Sequence, residues 1–115
     1  MRSGFASIGL VTGLAIAMAS VLPGLSSAKE PILHRIVIGK MAFGPSPPGL
    51  HVGDTIEWVN EDIFLHSVTA SDMSFDVDIA PKATAQVVLK SAGTIGYICK
   101  YHPSMQARLV VEPVK

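Results

Sequence analysis

Cys99, His102 and Met105 stand three residues apart between two β-rich runs, and Cys99 is the only cysteine among the 115 residues. One tight loop can wrap a thiolate, an imidazole and a thioether at that spacing around a single ion. A second imidazole is available from His66, inside the apolar segment Ile63-Phe64-Leu65-His66-Ser67-Val68. Two imidazoles, one thiolate and a weak thioether form the donor set of a trigonal copper site of the electron-transferring kind. Structural zinc takes four Cys or His donors and rarely a methionine.

The amino-terminal residues indicate where such an ion is met. Met1-Arg2 is a short positive region, Ile8 to Leu22 is apolar apart from Ser, Thr and Gly, and Pro23-Gly24 breaks the helix. Ser26-Ser27-Ala28 then offers small residues at the cleavage site of a secretory signal peptide, which predicts removal of residues 1–28. The apolar run is shorter and richer in Gly and Ser than a membrane anchor, which needs about 20 apolar residues. The expected destination is the periplasm, with no stable membrane association after cleavage.

Lys29 to Lys115 is enough chain for one small domain and not two. Basic and acidic side chains balance at nine each, and Arg2 leaves with the leader, so the domain is marginally acidic. It has no basic stripe, which argues against nucleic acid as a partner. Small secreted domains often depend on disulfides, and a lone cysteine cannot form one internally. A bound metal would account for Cys99, because it protects the sulfur in an oxidising compartment and adds its affinity for the native state to folding.

The domain reads as short strands separated by turn residues. Leu33–Gly39 is β-rich, and the prolines of Gly44–Gly49 exclude a central strand there. Thr55–Val59 alternates, with Ile56 and Trp58 on one face, and Asn60-Glu61-Asp62 is a turn. Ile63–Ala70 is then expected to close a hairpin with Thr55–Val59, and residues 71–82 form the least regular stretch. Thr84–Lys90 alternates again with Ala85, Val87 and Leu89 inward, Ser91-Ala92-Gly93 turns, and Thr94–Cys99 and Ala107–Glu112 complete the set. Six or seven such strands at this spacing predict an all-β, two-sheet sandwich.

The chain resembles a small cupredoxin, most similar to amicyanin within the plastocyanin, pseudoazurin and amicyanin group. The matching stretches are Leu50 through Asn60, His66-Ser67-Val68, Ala92-Gly93-Thr94 and Tyr97 through Met105. The last is the most specific, since two residues between Cys and His and two between His and Met make the short ligand loop of amicyanins. The resemblance implies a Greek-key β-sandwich over residues 29–115 with one type 1 copper ion at one end. Carried over by position, the ligands are His66, Cys99, His102 and an axial Met105. It also implies a monomer that moves single electrons between redox proteins, such as a dehydrogenase donor and a cytochrome acceptor. Two positions depart from the pattern. Ser67 stands where the group commonly has an Asn that ties the ligand loops together, and Gly96 stands where an acidic residue is frequent, implying a looser strand.

The remaining candidates read more plainly. His66 suits an imidazole held by a partner on its other nitrogen, although no Asn or Asp orienter is evident beside either histidine. Met41, Phe43, Pro103 and the proline-rich loop are expected to form an apolar docking patch around His102. His34 and His51 read as solvent-facing, Asp72, Asp76 and Asp78 as a solvated strand face, and Trp58 as core. Two other functions are weighed against the electron carrier. A copper-delivery module favours exposed Met and His clusters, whereas here the donors converge with a thiolate. An enzyme with Cys99 as nucleophile needs a substrate cleft, for which so small a chain has little room.

Overall fold

The computed structural model describes residues 3–7, 9–20 and 30–114. The predicted cleavage point between Ala28 and Lys29 lies outside the described residues. Those of 3–20 that are described form no helix or strand and lie exposed. An apolar segment without lipid or a packing partner has little to offset the cost of helix nucleation. Among the described residues no helix is long and apolar enough to cross a membrane.

Nine strands follow among the described residues: β1 (Leu33–Gly39), β2 (Ala42–Phe43), β3 (Leu50–His51), β4 (Thr55–Asn60), β5 (His66–Ala70), β6 (Asp76–Ile79), β7 (Thr84–Val88), β8 (Gly93–Cys99) and β9 (His102–Glu112). One sheet has the order β2-β1-β4-β7 and the other β3-β9-β8-β5-β6. The all-β sandwich expected from the alternating runs is the fold that forms. Ile36, Ile38, Ile56 and Trp58 from the first sheet close on Val68, Tyr97, Cys99, Leu109 and Val111 from the second. Trp58 is fully buried, its ring centroid 5.6 Å from Tyr97 and 5.5 Å from Phe75, and its Nε1–H donates to the Tyr97 hydroxyl at 3.3 Å. The aromatic cluster therefore fills the space between the sheets without stranding its polar atoms.

The expected hairpin between Thr55–Val59 and Ile63–Ala70 does not form. Strand β4 pairs with β1 and β7, whereas β5 pairs with β6 and β8 in the opposite sheet. Alternation reports which residues face inward and carries no information on which sheet a strand joins. The crossing is made by Asn60, whose buried side chain donates to the carbonyls of Phe64, Ile79 and Ala80 at 2.9–3.2 Å and accepts from the Asp62 N–H at 3.0 Å. Ile63, Phe64 and Leu65 consequently lie in an exposed loop instead of a strand.

Other boundaries move for similar reasons. The irregular stretch 71–82 contains β6, which gains its ladder from β5. The last strand starts at His102, not Ala107, because the chain passes through a bulge at Ile98/Cys99 and continues paired to β8. Gly96 is in register with Arg108, and its carbonyl accepts from the Ser71 N–H at 2.8 Å.

His34 is not solvent-facing. Its Nε2 lies 2.9 Å from Asp54 Oδ2, and both side chains are largely covered. Asp54 also accepts from the Ile32 N–H (2.9 Å) and the His51 N–H (3.0 Å). Burial pushes this carboxyl up, and the bonds from Ile32, His34 and His51 outweigh it, holding it below the ordinary value. A lowered carboxylate pKa stabilises the fold above the unfolded value, about 3.9, and that contribution is lost as pH falls through the folded value. In urea titrations, unfolding free energy should therefore drop as pH falls below about 4. Asp54→Asn, already less stable by about 1–3 kcal/mol at neutral pH, should lose less over the same interval.

Candidate metal centre

At one end of the sandwich three donors meet. His66 opens β5, Cys99 ends β8, and His102 opens β9 after a two-residue loop. Cys99 Sγ lies 3.7 Å from His66 Nδ1 and 3.6 Å from His102 Nδ1, and the three donor atoms all fall within 4.8 Å of one another. Cys99 is a free thiol and is fully buried, as is His66, while His102 is half-buried. Met105 is buried farther along β9 at 3 % exposure, on the inward-facing side of that strand.

The orientation of the two rings is set by what lies behind and beside them. His66 Nε2 is 2.8 Å from Asp62 Oδ2. A carboxylate only accepts, so Nε2 carries the proton and Nδ1 presents its lone pair to the sulfur. The Asp62 carboxylate also accepts from the Lys40 N–H (2.8 Å) and the Met41 N–H (3.0 Å). Those two residues form the β1–β2 turn with φ of 51° and 59°, a left-handed pair that is costly without glycine. Asp62 thus compensates the strained turn and orients the His66 ring with one side chain. Burial pushes its carboxyl up, and the bonds from His66, Met41 and Lys40 bring it below the ordinary range. The sequence did contain this orienter, four residues before His66, but it read only as part of a turn.

His102 is seated differently. Its ring centroid is 5.1 Å from that of His66 and 6.3 Å from that of Phe64, which is 49 % exposed. Phe64, not Phe43, is therefore the aromatic beside the accessible histidine. Phe43 packs inward with its ring 4.7 Å from Tyr97, and the proline-rich loop is tied by the Ser46 hydroxyl to the Arg108 carbonyl along β9.

Ser67 does the tying expected of an asparagine. Its backbone N–H donates to Cys99 Sγ at 3.3 Å, and its hydroxyl accepts from the Lys100 N–H at 2.9 Å. The hydroxyl belongs to a chain that continues to Thr69 Oγ1 (2.9 Å) and on to Asp76 Oδ1 (2.8 Å). The loop carrying Cys99 is thereby stitched to the strand carrying His66.

The donor set can be tested against an ion. With a metal ~2.3 Å from sulfur and ~2.0 Å from a nitrogen, each observed sulfur–nitrogen separation taken by itself corresponds to a sulfur–metal–nitrogen angle of roughly 110–120°. A soft thiolate with two imidazoles is chemistry that suits copper.

A family model for the cupredoxin-like domain matches residues 10–111. The chain belongs to the cupredoxin-like family. This cupredoxin is 29 % identical over 83 residues to amicyanin-alpha of Methylorubrum extorquens, covering 67 % of the chain and 70 % of that protein. It is 32 % identical over 83 residues to amicyanin of Paracoccus denitrificans, covering 65 % of the chain and 62 % of that relative. Among solved structures, amicyanin from Paracoccus versutus shares the fold, with a TM-score of 0.61 at 23 % identity over 70 % of this chain and 81 % of that one. A mutant amicyanin in its Cu(I) form gives 0.58 at 28 % identity, over 70 % and 82 %.

Because Asp62 orients His66, its removal should loosen metal binding while leaving the cupredoxin folded. Asp62→Ala is expected to weaken copper binding by ~10–100-fold, measured by competition with a chelator of known affinity. An unchanged affinity would show that the His66 ring is held by packing alone.

Proposed function

We propose that this protein is a periplasmic type 1 copper protein that carries single electrons between redox partners and has no substrate of its own. The observation that carries this reading is the buried, free Cys99 sulfur flanked at 3.6–3.7 Å by two imidazole nitrogens that face it. In this reading His66, Cys99 and His102 would hold the copper ion, with Met105 as a weak fourth donor. Copper bound there would supply a one-electron Cu(II)/Cu(I) couple. Asp62 keeps the His66 lone pair pointed inward, Ser67 N–H fixes the sulfur, and the two sheets hold these groups on rigid strands, so little has to move when charge changes.

Electrons would enter and leave at His102, the half-buried ligand, with Phe64, Ile63, Leu65 and Met41 exposed around this end. The proposed partners are redox proteins, a dehydrogenase as donor and a cytochrome as acceptor, met by a monomer freed from residues 1–28. The likeness to amicyanins supports this reading.

The test is to reduce and reoxidise the copper-loaded protein repeatedly with ascorbate and ferricyanide beside a moderate Cu(I) chelator. Retained metal and full return of an intense blue band at each oxidation are expected. Loss to the chelator on reduction would favour copper delivery instead. Cys99→Ser should abolish the band, since the sulfur supplies the charge-transfer donor.

Met105→Gln separately tests the axial assignment. A harder oxygen donor favours Cu(II), so the potential should fall by ~60 mV or more, a tenfold shift in the redox equilibrium. An unchanged potential would remove Met105 from the ligand set.

A further inference from the structure

Only Lys100 and Tyr101 separate Cys99 from His102, and both side chains reach back to the same edge strand. Lys100 Nζ lies 3.2 Å from Asp76 Oδ1 and 3.0 Å from Asp78 Oδ1. The Tyr101 hydroxyl donates to Asp78 Oδ2 at 2.6 Å, and Lys100 Nζ sits 5.4 Å from the centre of the Tyr101 ring. The two carboxylates project from the exposed face of β6, the outermost strand of the five-stranded sheet. To reach them, the loop side chains pass across β5, where the Lys100 N–H is already bonded to Ser67 and Asp76 accepts from Thr69. The Lys100 backbone and the Lys100 and Tyr101 side chains are thus tied to two successive strands.

We propose that Asp76 and Asp78 are positioning residues for the metal site, clamping the Lys100–Tyr101 loop so that Cys99 and His102 keep their separation whether or not an ion holds them. This inference rests on the copper-site reading for its consequence and on hydrogen bonds alone for its geometry. A two-residue ligand loop has few contacts of its own, and His102 is only half-buried. If nothing else fixed the loop, its geometry would relax each time the metal changed its demand on the histidine. Exposed ion pairs are individually weak. Here they share one lysine, one tyrosine and two carboxylates, so each contact restricts side chains the next one needs. Asp78 binds both loop residues and is the centre of the clamp. Asp72, on the preceding turn, bonds only to Ser74 and lies outside it.

The experiment has a metal-free and a metal-loaded arm. In the copper-free protein, amide hydrogen exchange at Lys100 reports the loop and exchange at Trp58 reports the core. Asp78→Ala should speed Lys100 exchange by ~10-fold and leave Trp58 unchanged, with Asp72→Ala as an unaffected control. Raising the salt concentration should speed Lys100 exchange in the native protein by screening the lysine contacts, and have little effect in Lys100→Met.

In the loaded protein, Tyr101→Phe separates geometry from charge, because it removes a hydrogen bond without changing net charge. It should keep the blue band but slow electron self-exchange by ~3–10-fold. Lys100 exchange within about twofold of native in Asp78→Ala would overturn the clamp. Faster exchange with native self-exchange in Tyr101→Phe would reduce the carboxylates to a surface brace and equally overturn their positioning role. A native protein that takes up no copper and shows no blue band defeats the copper reading instead, and the metal-free exchange still decides the clamp.

Discussion

The Asn60 side chain makes the corner on which the rest of the site depends. A strand leaving one sheet for the other abandons its ladder, and the backbone groups at the crossing must find new partners or be buried unpaired. Asn60 supplies them, with its amide nitrogen among three carbonyls and its oxygen on the Asp62 N–H. That last bond fixes the backbone of Asp62, whose carboxylate can then reach the Lys40–Met41 turn and the His66 ring together. The path from corner to the His66 ring is a continuous set of hydrogen bonds within a few residues.

The second half of the site is built independently, on β8 and β9, and meets the first through Ser67. A serine hydroxyl is shorter than an asparagine amide, yet it spans the gap because the bulge at Ile98/Cys99 brings the Lys100 N–H within 2.9 Å. The Ser67 backbone N–H reaches the sulfur without involving its side chain. The departure from asparagine therefore changes which group makes the tie and leaves the tie in place.

The burial gradient across the site fits its proposed use. His66 is sealed behind Asp62 and Cys99 is enclosed, while His102 reaches partway to the surface beside Phe64. A centre enclosed on all sides would be slow to exchange electrons with another protein, and a fully open one would lose its ion or admit water. Edge strand β6 adds to this from outside, since its exposed face carries carboxylates that contact Lys100 and Tyr101 while its inward Ile79 joins the core. The same alternation that makes β6 a strand puts both Asp76 and Asp78 on the outer side.

Much of this was legible in the chain itself. The three-residue spacing of Cys99, His102 and Met105, the alternation around Trp58 and the short breaker-separated runs are local patterns, and local patterns specify element type, inward face and donor chemistry without reference to distant residues. The sequence could not place Ile63–Ala70 in the opposite sheet from Thr55–Val59, because period-two alternation is identical for either partner. It could not show that Asp62 orients His66, that Asp54 covers His34, or that Asp76 and Asp78 hold Lys100 and Tyr101, since each of those pairs is made by chain crossings and strand registers. Residue spacing by itself determined which atoms are available to a metal. Only the packing of two sheets decided which atoms face one another and what holds them there.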